Sequence, residues 1–129
     1  MRKLDGRGLT YGTGAFLLEA AGVASGAYAY GNFPLKILGV PLCIPFMWLL
    51  VAYLAYLLFE SCGAIGIFLV WLIDLILEPL AAEYGLWTWL NTLSAQIYFG
   101  STVGNVVVWI LMLVIGVYLF KGRDGGGVL

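Results

Sequence analysis

The sequence predicts an all-α fold: an integral membrane bundle of about four transmembrane helices, with an interfacial or re-entrant segment before the last helix. Three observations predict it. Hydrophobic residues make up 63% of the 129 positions and charged residues 10%, against roughly 25% charged in a soluble domain. Apolar runs recur at nearly the length of about 20 residues that a spanning helix needs, so residues 1–129 are expected to form a single membrane domain with no separate soluble part. Carboxylates, which hydrocarbon disfavours, stand inside two of those runs. No signal peptide is evident in the opening MRKLDGRGLTYG, so the first helix is expected to direct insertion.

The first helix is expected over residues 12–30 (GTGAFLLEAAGVASGAYAY), a run rich in glycine and alanine with one acid, Glu19. Gly22 and Gly26 make a small-xxx-small step that admits a close helix neighbour, and a homo- or hetero-oligomeric contact is expected there. Tyr28, Tyr30 and Phe33, followed by Pro34, mark the membrane interface and the exit from the helix. The second helix is expected over 41–59 (PLCIPFMWLLVAYLAYLLF), without a charge. Pro41 and Pro45 fall in its first turns, where a missing backbone donor costs little. A turn, ESCG, leads to the third run, AIGIFLVWLIDLILEPLAA (64–82), which Asp74 and Glu78 interrupt. Residues 83–104 (EYGLWTWLNTLSAQIYFGSTVG) mix aromatics with amides and hydroxyls, and form the interfacial or re-entrant segment. The last helix is expected over 105–120 (NVVVWILMLVIGVYLF), closed by Lys121 and Arg123, with 122–129 as a flexible tail. No internal repeat of useful length is visible, although the first and third helices carry acid and the second and fourth carry none.

Arg2, Lys3, Arg7, Lys121 and Arg123 belong to the two ends of the chain, and only Lys36 to a connecting loop. The positive-inside rule then predicts a multi-pass protein of the cell membrane with both termini cytoplasmic. Six basic residues and a net charge of −1 give no surface for nucleic acid. Histidine is absent, and Cys43 and Cys62 lack a paired spacing, so no metal site and no redox-metal chemistry is expected. Free cysteines in apolar surroundings act as small hydrophobes.

Glu19, Asp74 and Glu78 carry the strongest functional signal, because an acid at bilayer depth costs about 2.5 to 3.5 kcal/mol even on insertion scales. No Lys, Arg or His lies in any predicted helix, so desolvation acts without a counter-charge and at least one acid is expected to be neutral at physiological pH. Asp74 and Glu78 are four residues apart and share a helix face; two acids so close resist being ionised together. Glu19 is expected somewhat nearer the cytoplasmic side. Pro79 cannot donate to the Leu75 carbonyl, which leaves an acceptor beside both acids able to hold a water. The plainer readings are that the acids only fix helix register through hydrogen bonds, and that Tyr84, Trp87, Trp89, Tyr98 and Phe99 form an ordinary interface belt.

The segment IDLILEPLAAEYGLWTW (73–89) resembles the signature of the membrane carotenoid biosynthesis proteins that include carotenoid 1,2-hydratases and the archaeal bisanhydrobacterioruberin hydratase: Asp, an acid four residues on, Pro, then a Gly-x-Trp-x-Trp-like stretch. LLEAAGVASGAYAY (17–30), GVPLCIPFMWLLVAYLAY (39–56) and YFGSTVGNVVVW (98–109) are similar to that family's glutamate-bearing helix, its proline-rich helix and its tyrosine-glycine and asparagine-tryptophan motif. The chain is shorter than is general in the family. Ser101-Thr102-Val103 stands where a Val-Pro-Leu-like turn is usual, and Val108 where a glycine precedes the tryptophan.

The resemblance implies addition of water across the terminal double bond of an acyclic carotenoid or other polyisoprenoid lipid, without a cofactor. A neutral acid protonates the alkene, aromatic faces stabilise the tertiary cation, and a second carboxylate orients the water that captures it. On that reading Asp74 is the proton donor, Glu78 the base, and Glu19 an alternative for either; Trp87, Trp89 and Tyr98 face the cation and Asn105 holds water. An alternative is a small non-catalytic membrane subunit of a larger complex, binding carotenoid or lipid. A proton-conducting component would use the same acids, but the outer half of no other helix supplies the spaced acids that a continuous path needs.

Overall fold

Apolar periodicity builds four helices in the computed structural model, which describes residues 2–90, 96–99 and 101–124. Helix α1 spans Arg2–Ala24, α2 Cys43–Cys62, α3 Ala64–Tyr84 and α4 Val103–Asp124. Three of them, α2, α3 and α4, are long and apolar enough to cross a membrane. Strands β1 (Tyr28–Tyr30), β2 (Lys36–Ile37) and β3 (Val40–Pro41) join α1 to α2, and β4 (Trp87–Trp89), β5 (Gln96–Tyr98) and β6 (Ser101–Thr102) join α3 to α4.

Several boundaries differ from the sequence expectation. The first helix does not run over 12–30; it begins ten residues earlier and ends at Ala24. Its early turns are of mixed polarity, which hides them from a hydropathy reading, but they are held by tertiary contacts. Tyr11, Ala15 and Glu19 repeat every four residues on its buried face, and the Arg7 guanidinium donates to the Leu119 carbonyl at 2.7 Å. Gly26, at φ 82°, then takes a left-handed conformation that ends the helical path and starts β1. Tyr28 and Tyr30 are therefore strand residues. Of the segment expected to be interfacial or re-entrant, the first residues complete α3, Gly85 caps that helix in the left-handed region with its N–H on the Ala81 carbonyl, and β4 follows. Residues 91–95 and 100 of that segment lie outside the described residues. Helix α4 is longer at both ends than 105–120, so 122–124 of the expected tail are helical and 125–129 lie outside the described residues.

Helix α2 packs against all three others. The core runs through Trp48, Val51, Ala52 and Ala55 of α2 to Trp109, Leu113 and Val117 of α4, with Tyr11 and Ala15 of α1 closing it. Close crossings need small residues: a Cβ on Gly116 would stand 2.6 Å from the Ala52 Cβ, and one on Gly66 2.5 Å from the Leu58 carbonyl carbon. Gly63, at φ 67°, makes the tight turn between α2 and α3.

The order helix, three strands, helix occurs twice, which corrects the expectation of no internal repeat. Glu19, Gly26, Tyr28 and Tyr30 in the first half correspond to Glu78, Gly85, Trp87 and Trp89 in the second. Leu38 (φ 54°) corresponds to Phe99 (φ 48°), each at the bend between two paired strands, and Trp48 to Trp109. Strands β1 and β4 pair antiparallel where the halves meet, with Ala29 opposite Thr88, Tyr28 opposite Trp89 and Tyr30 opposite Trp87. The strands gather at one end of the bundle; the Gly63 turn, the start of α1 and the end of α4 lie at the other.

The Gly22 and Gly26 step is also corrected. A Cβ on Gly22 would collide with the Tyr28 ring, and Gly26 lies beyond the helix. The close approach that Gly22 permits is taken by the Tyr28 side chain of the same protein.

Candidate functional site

Successive strand residues point to opposite faces, so Tyr28 and Tyr30 reach the same way from β1, and Trp87 and Trp89 from β4. Each pair meets one acid. The Tyr28 and Tyr30 hydroxyls donate to Glu19 Oε1 at 2.7 and 2.6 Å, and the Trp48 indole to Glu19 Oε2 at 2.8 Å. The Trp87 and Trp89 indoles donate to Glu78 Oε1 at 3.1 and 3.0 Å. In both halves the donors follow their acid by 9 and 11 residues. Glu19 therefore stands at the level of Glu78 along the bundle. Burial first, then the negative charge of Glu19 and the hydrogen bond to it, push both phenols above the ordinary tyrosine value of 10.0, so they stay protonated donors.

The second half carries more. Asp74, one helical turn before Glu78, is 2% exposed, as is Glu78. The Asn105 side-chain amide, early in α4, lies 3.1 Å from Asp74 Oδ2, 3.3 Å from Glu78 Oε2 and 2.9 Å from Ser101 Oγ. Two amide hydrogens serve these three acceptors, so Asn105 joins the two acids. Its own backbone N–H donates to Thr102 Oγ1 at 3.2 Å, fixing the start of α4. Ala15 and Ile44 occupy the places of Asp74 and Asn105 in the first half, so the paired acids occur in one half only.

The Leu75 carbonyl left open by Pro79, expected to be able to hold a water, has a protein donor. The Tyr98 hydroxyl donates to it at 2.8 Å. That hydrogen bond commits Tyr98 to the backbone.

A cavity of about 400 Å³ separates the two acidic centres. Glu19, Tyr28, Tyr30 and Trp48 line one side, and Glu78, Trp87, Trp89 and Asn105 the other. Trp109, whose ring centroid is 4.8 Å from that of Trp48, joins Ile44, Met47 and Val108 in an apolar wall. Asp74 and Tyr98 do not line the cavity; of the residues singled out from sequence, Glu19, Glu78, Trp87, Trp89 and Asn105 do. Sequence reasoning missed Tyr28, Tyr30, Trp48 and Trp109. The signal that could have found the tyrosines is the equal spacing of Tyr-x-Tyr after Glu19 and Trp-x-Trp after Glu78.

The arrangement is an apolar, aromatic chamber with one carboxylate held by three neutral donors and, facing it, a second carboxylate backed by a third. The family model described as carotenoid biosynthesis protein matches residues 11–122, a span that contains every residue of both centres. No curated protein and no solved structure matches the chain.

Proposed function

The chain belongs to the carotenoid biosynthesis protein family, and from that premise we propose that it hydrates the terminal double bond of an acyclic carotenoid. The observation that carries the proposal is the Asp74–Glu78 pair, joined by Asn105 and opening through Glu78 alone onto the apolar chamber. Acid-catalysed hydration needs one proton held out of water beside an alkene, and two adjacent carboxyls hold one between them.

Glu78 is the donor on this reading, because it faces the cavity, and Asp74 is a positioning residue behind it. The Glu78 O–H bond breaks as the alkene's electron pair forms a C–H bond at the less substituted carbon. The cation left on the tertiary carbon lies among the rings of Trp87, Trp89, Trp48 and Trp109, with Glu19 as a fixed negative charge opposite. Water forms the C–O bond and returns its proton to the Glu78 carboxylate, so the pair ends as it began. Asn105 and the Trp87 and Trp89 indole N–H groups, all donors to Glu78, stabilise the charge that appears on it in between.

Expression in cells that accumulate an acyclic carotene tests this directly. The expected product is heavier by one water, and Glu78→Gln lowers its formation by about 10² to 10⁴-fold, the usual worth of a general acid. Unchanged pigment with folded, wild-type protein in the membrane would sink the proposal. The full engagement of Glu19 by three donors favours a second reading, a rigid polyene-binding subunit without chemistry. Purified protein that retains visible polyene absorbance and forms no product would select it.

A further inference from the structure

Hydration brings together two reactants of opposite solubility, and the structure has a second space beside Glu78 suited to only one of them. A cavity of about 250 Å³ lies against the Trp87 and Trp89 rings, bordered further by Ala81, Ala82, Gly85, Thr88 and Phe99. Glu78 and the two tryptophans border both cavities. Both indole N–H groups are committed to Glu78 Oε1, which fixes the rings as a partition with the carboxyl in it. On the far side, the surroundings lie where α3 ends and β4 begins, at the strand end of the bundle, and Ala82, Gly85, Thr88 and Phe99 are exposed. Water takes roughly 30 Å³ in the liquid and needs polar partners; the Glu78 carboxyl and the Thr88 hydroxyl supply them in a space that holds several.

The repeat sharpens the point. In the first half the Tyr28 ring packs onto Gly22, which corresponds to Ala81, and Val23, which corresponds to Ala82, packs onto Gly39. Gly22, Tyr28 and Tyr30 border the first chamber itself, whereas Ala81 and Ala82 border the separate space beside Glu78. That difference falls in the half that carries the paired acids.

We propose that this second cavity is the route by which water reaches Glu78 from the membrane surface, apart from the greasy chamber that takes the polyene. The use of that water in catalysis rests on the hydration reading; the aqueous route itself does not. Trp87 and Trp89 keep the two reactants on separate sides until the alkene is seated against Glu78.

Cysteine accessibility tests the route without needing activity. In a Cys43→Ala/Cys62→Ala background in unsealed membranes, a charged, membrane-impermeant thiosulfonate is expected to modify Ala81→Cys within roughly tenfold of the rate at exposed Thr88→Cys, following thiolate exposure. Val108→Cys, on the wall of the first chamber, is expected to react with a neutral, lipid-soluble maleimide only. Ala82→Cys and Thr88→Cys, both exposed, are the surface controls. Loss of charged-reagent modification at Ala81→Cys, with both controls still reacting, overturns the proposal. Equal modification of Val108→Cys overturns it too, because the two spaces would then be one. Charge placed at Ala81→Cys is expected to reduce turnover and leave polyene retention unchanged. Modification as expected in a protein whose unmodified form makes no hydrated product removes the hydration reading and leaves the water route standing.

Discussion

A carboxylate that draws its hydrogen bonds from two phenols and an indole has each donor's contribution open to measurement. Tyr30→Phe and Tyr28→Phe each remove one hydrogen bond to Glu19; bonds to charged groups are worth about 1.5 to 3 kcal/mol, and thermal unfolding in detergent should show a loss in that range. The same phenols give a pH test. Their values lie above 10.0 in the folded protein because of burial and Glu19. The unfolded chain binds fewer protons once pH exceeds about 10. Their contribution is therefore full below that point and falls as pH rises beyond it, and a stability profile of Tyr28→Phe/Tyr30→Phe should be flatter there than wild type. An identical alkaline slope in the double variant would contradict the assignment. Asp74 and Glu78 could be read from sequence because acids four residues apart on an apolar helix are costly. Tyr28 and Tyr30 could not, because a three-residue strand has no periodicity and two tyrosines after a helix look like an interface.

At the scale of the element, α3 is defined by the proline inside it. Pro79 removes the backbone donor to Leu75, and Tyr98 supplies another from β5. Tyr98→Phe alone leaves a part-buried carbonyl without a partner, at about 1 to 3 kcal/mol. Pro79→Ala restores the helical N–H, so Tyr98→Phe should cost far less in that background. A double-mutant cycle with no coupling would show that the hydroxyl is not needed by the backbone. The turn at Gly63 sets a second test: Gly66→Ala drives a methyl into the Leu58 backbone, and overpacking of this kind costs about 1 to 3 kcal/mol in chemical denaturation. The second, third and fourth helices were legible as apolar runs, but Pro41 belongs to β3 and not to the first turn of α2, and Glu60 to Cys62 of the expected ESCG turn complete that helix, which leaves Gly63 to make the turn. The early turns of α1 were not, because Arg7 and Tyr11 owe their helical state to partners on α4 that lie more than a hundred residues away.

For the whole molecule, the two-fold repetition gives the orientation a test. If α1 crosses the membrane as its counterpart α3 is able to, both ends of the chain lie on one side, and the basic residues near those ends predict the cytoplasmic one. Reporter fusions at residue 1 and residue 129 are expected to report the same, cytoplasmic side; opposite sides would remove this arrangement. The repeat escaped the sequence because few corresponding positions keep their residue: tyrosine is exchanged for tryptophan, and Thr13, Gly14, Ala15 and Ile44 answer to Leu72, Ile73, Asp74 and Asn105. The β1–β4 ladder, three residues long, also ties the two halves in a way that admits no slack. A slip of a single residue in either strand turns its inward aromatics outward and brings Ala29 or Thr88 in. Deleting one residue from 25–30 or from 85–89 would thus strip an acid of both its strand donors in one step, so a frame of two short strands makes the chemistry of a membrane chamber answer to arithmetic along the chain.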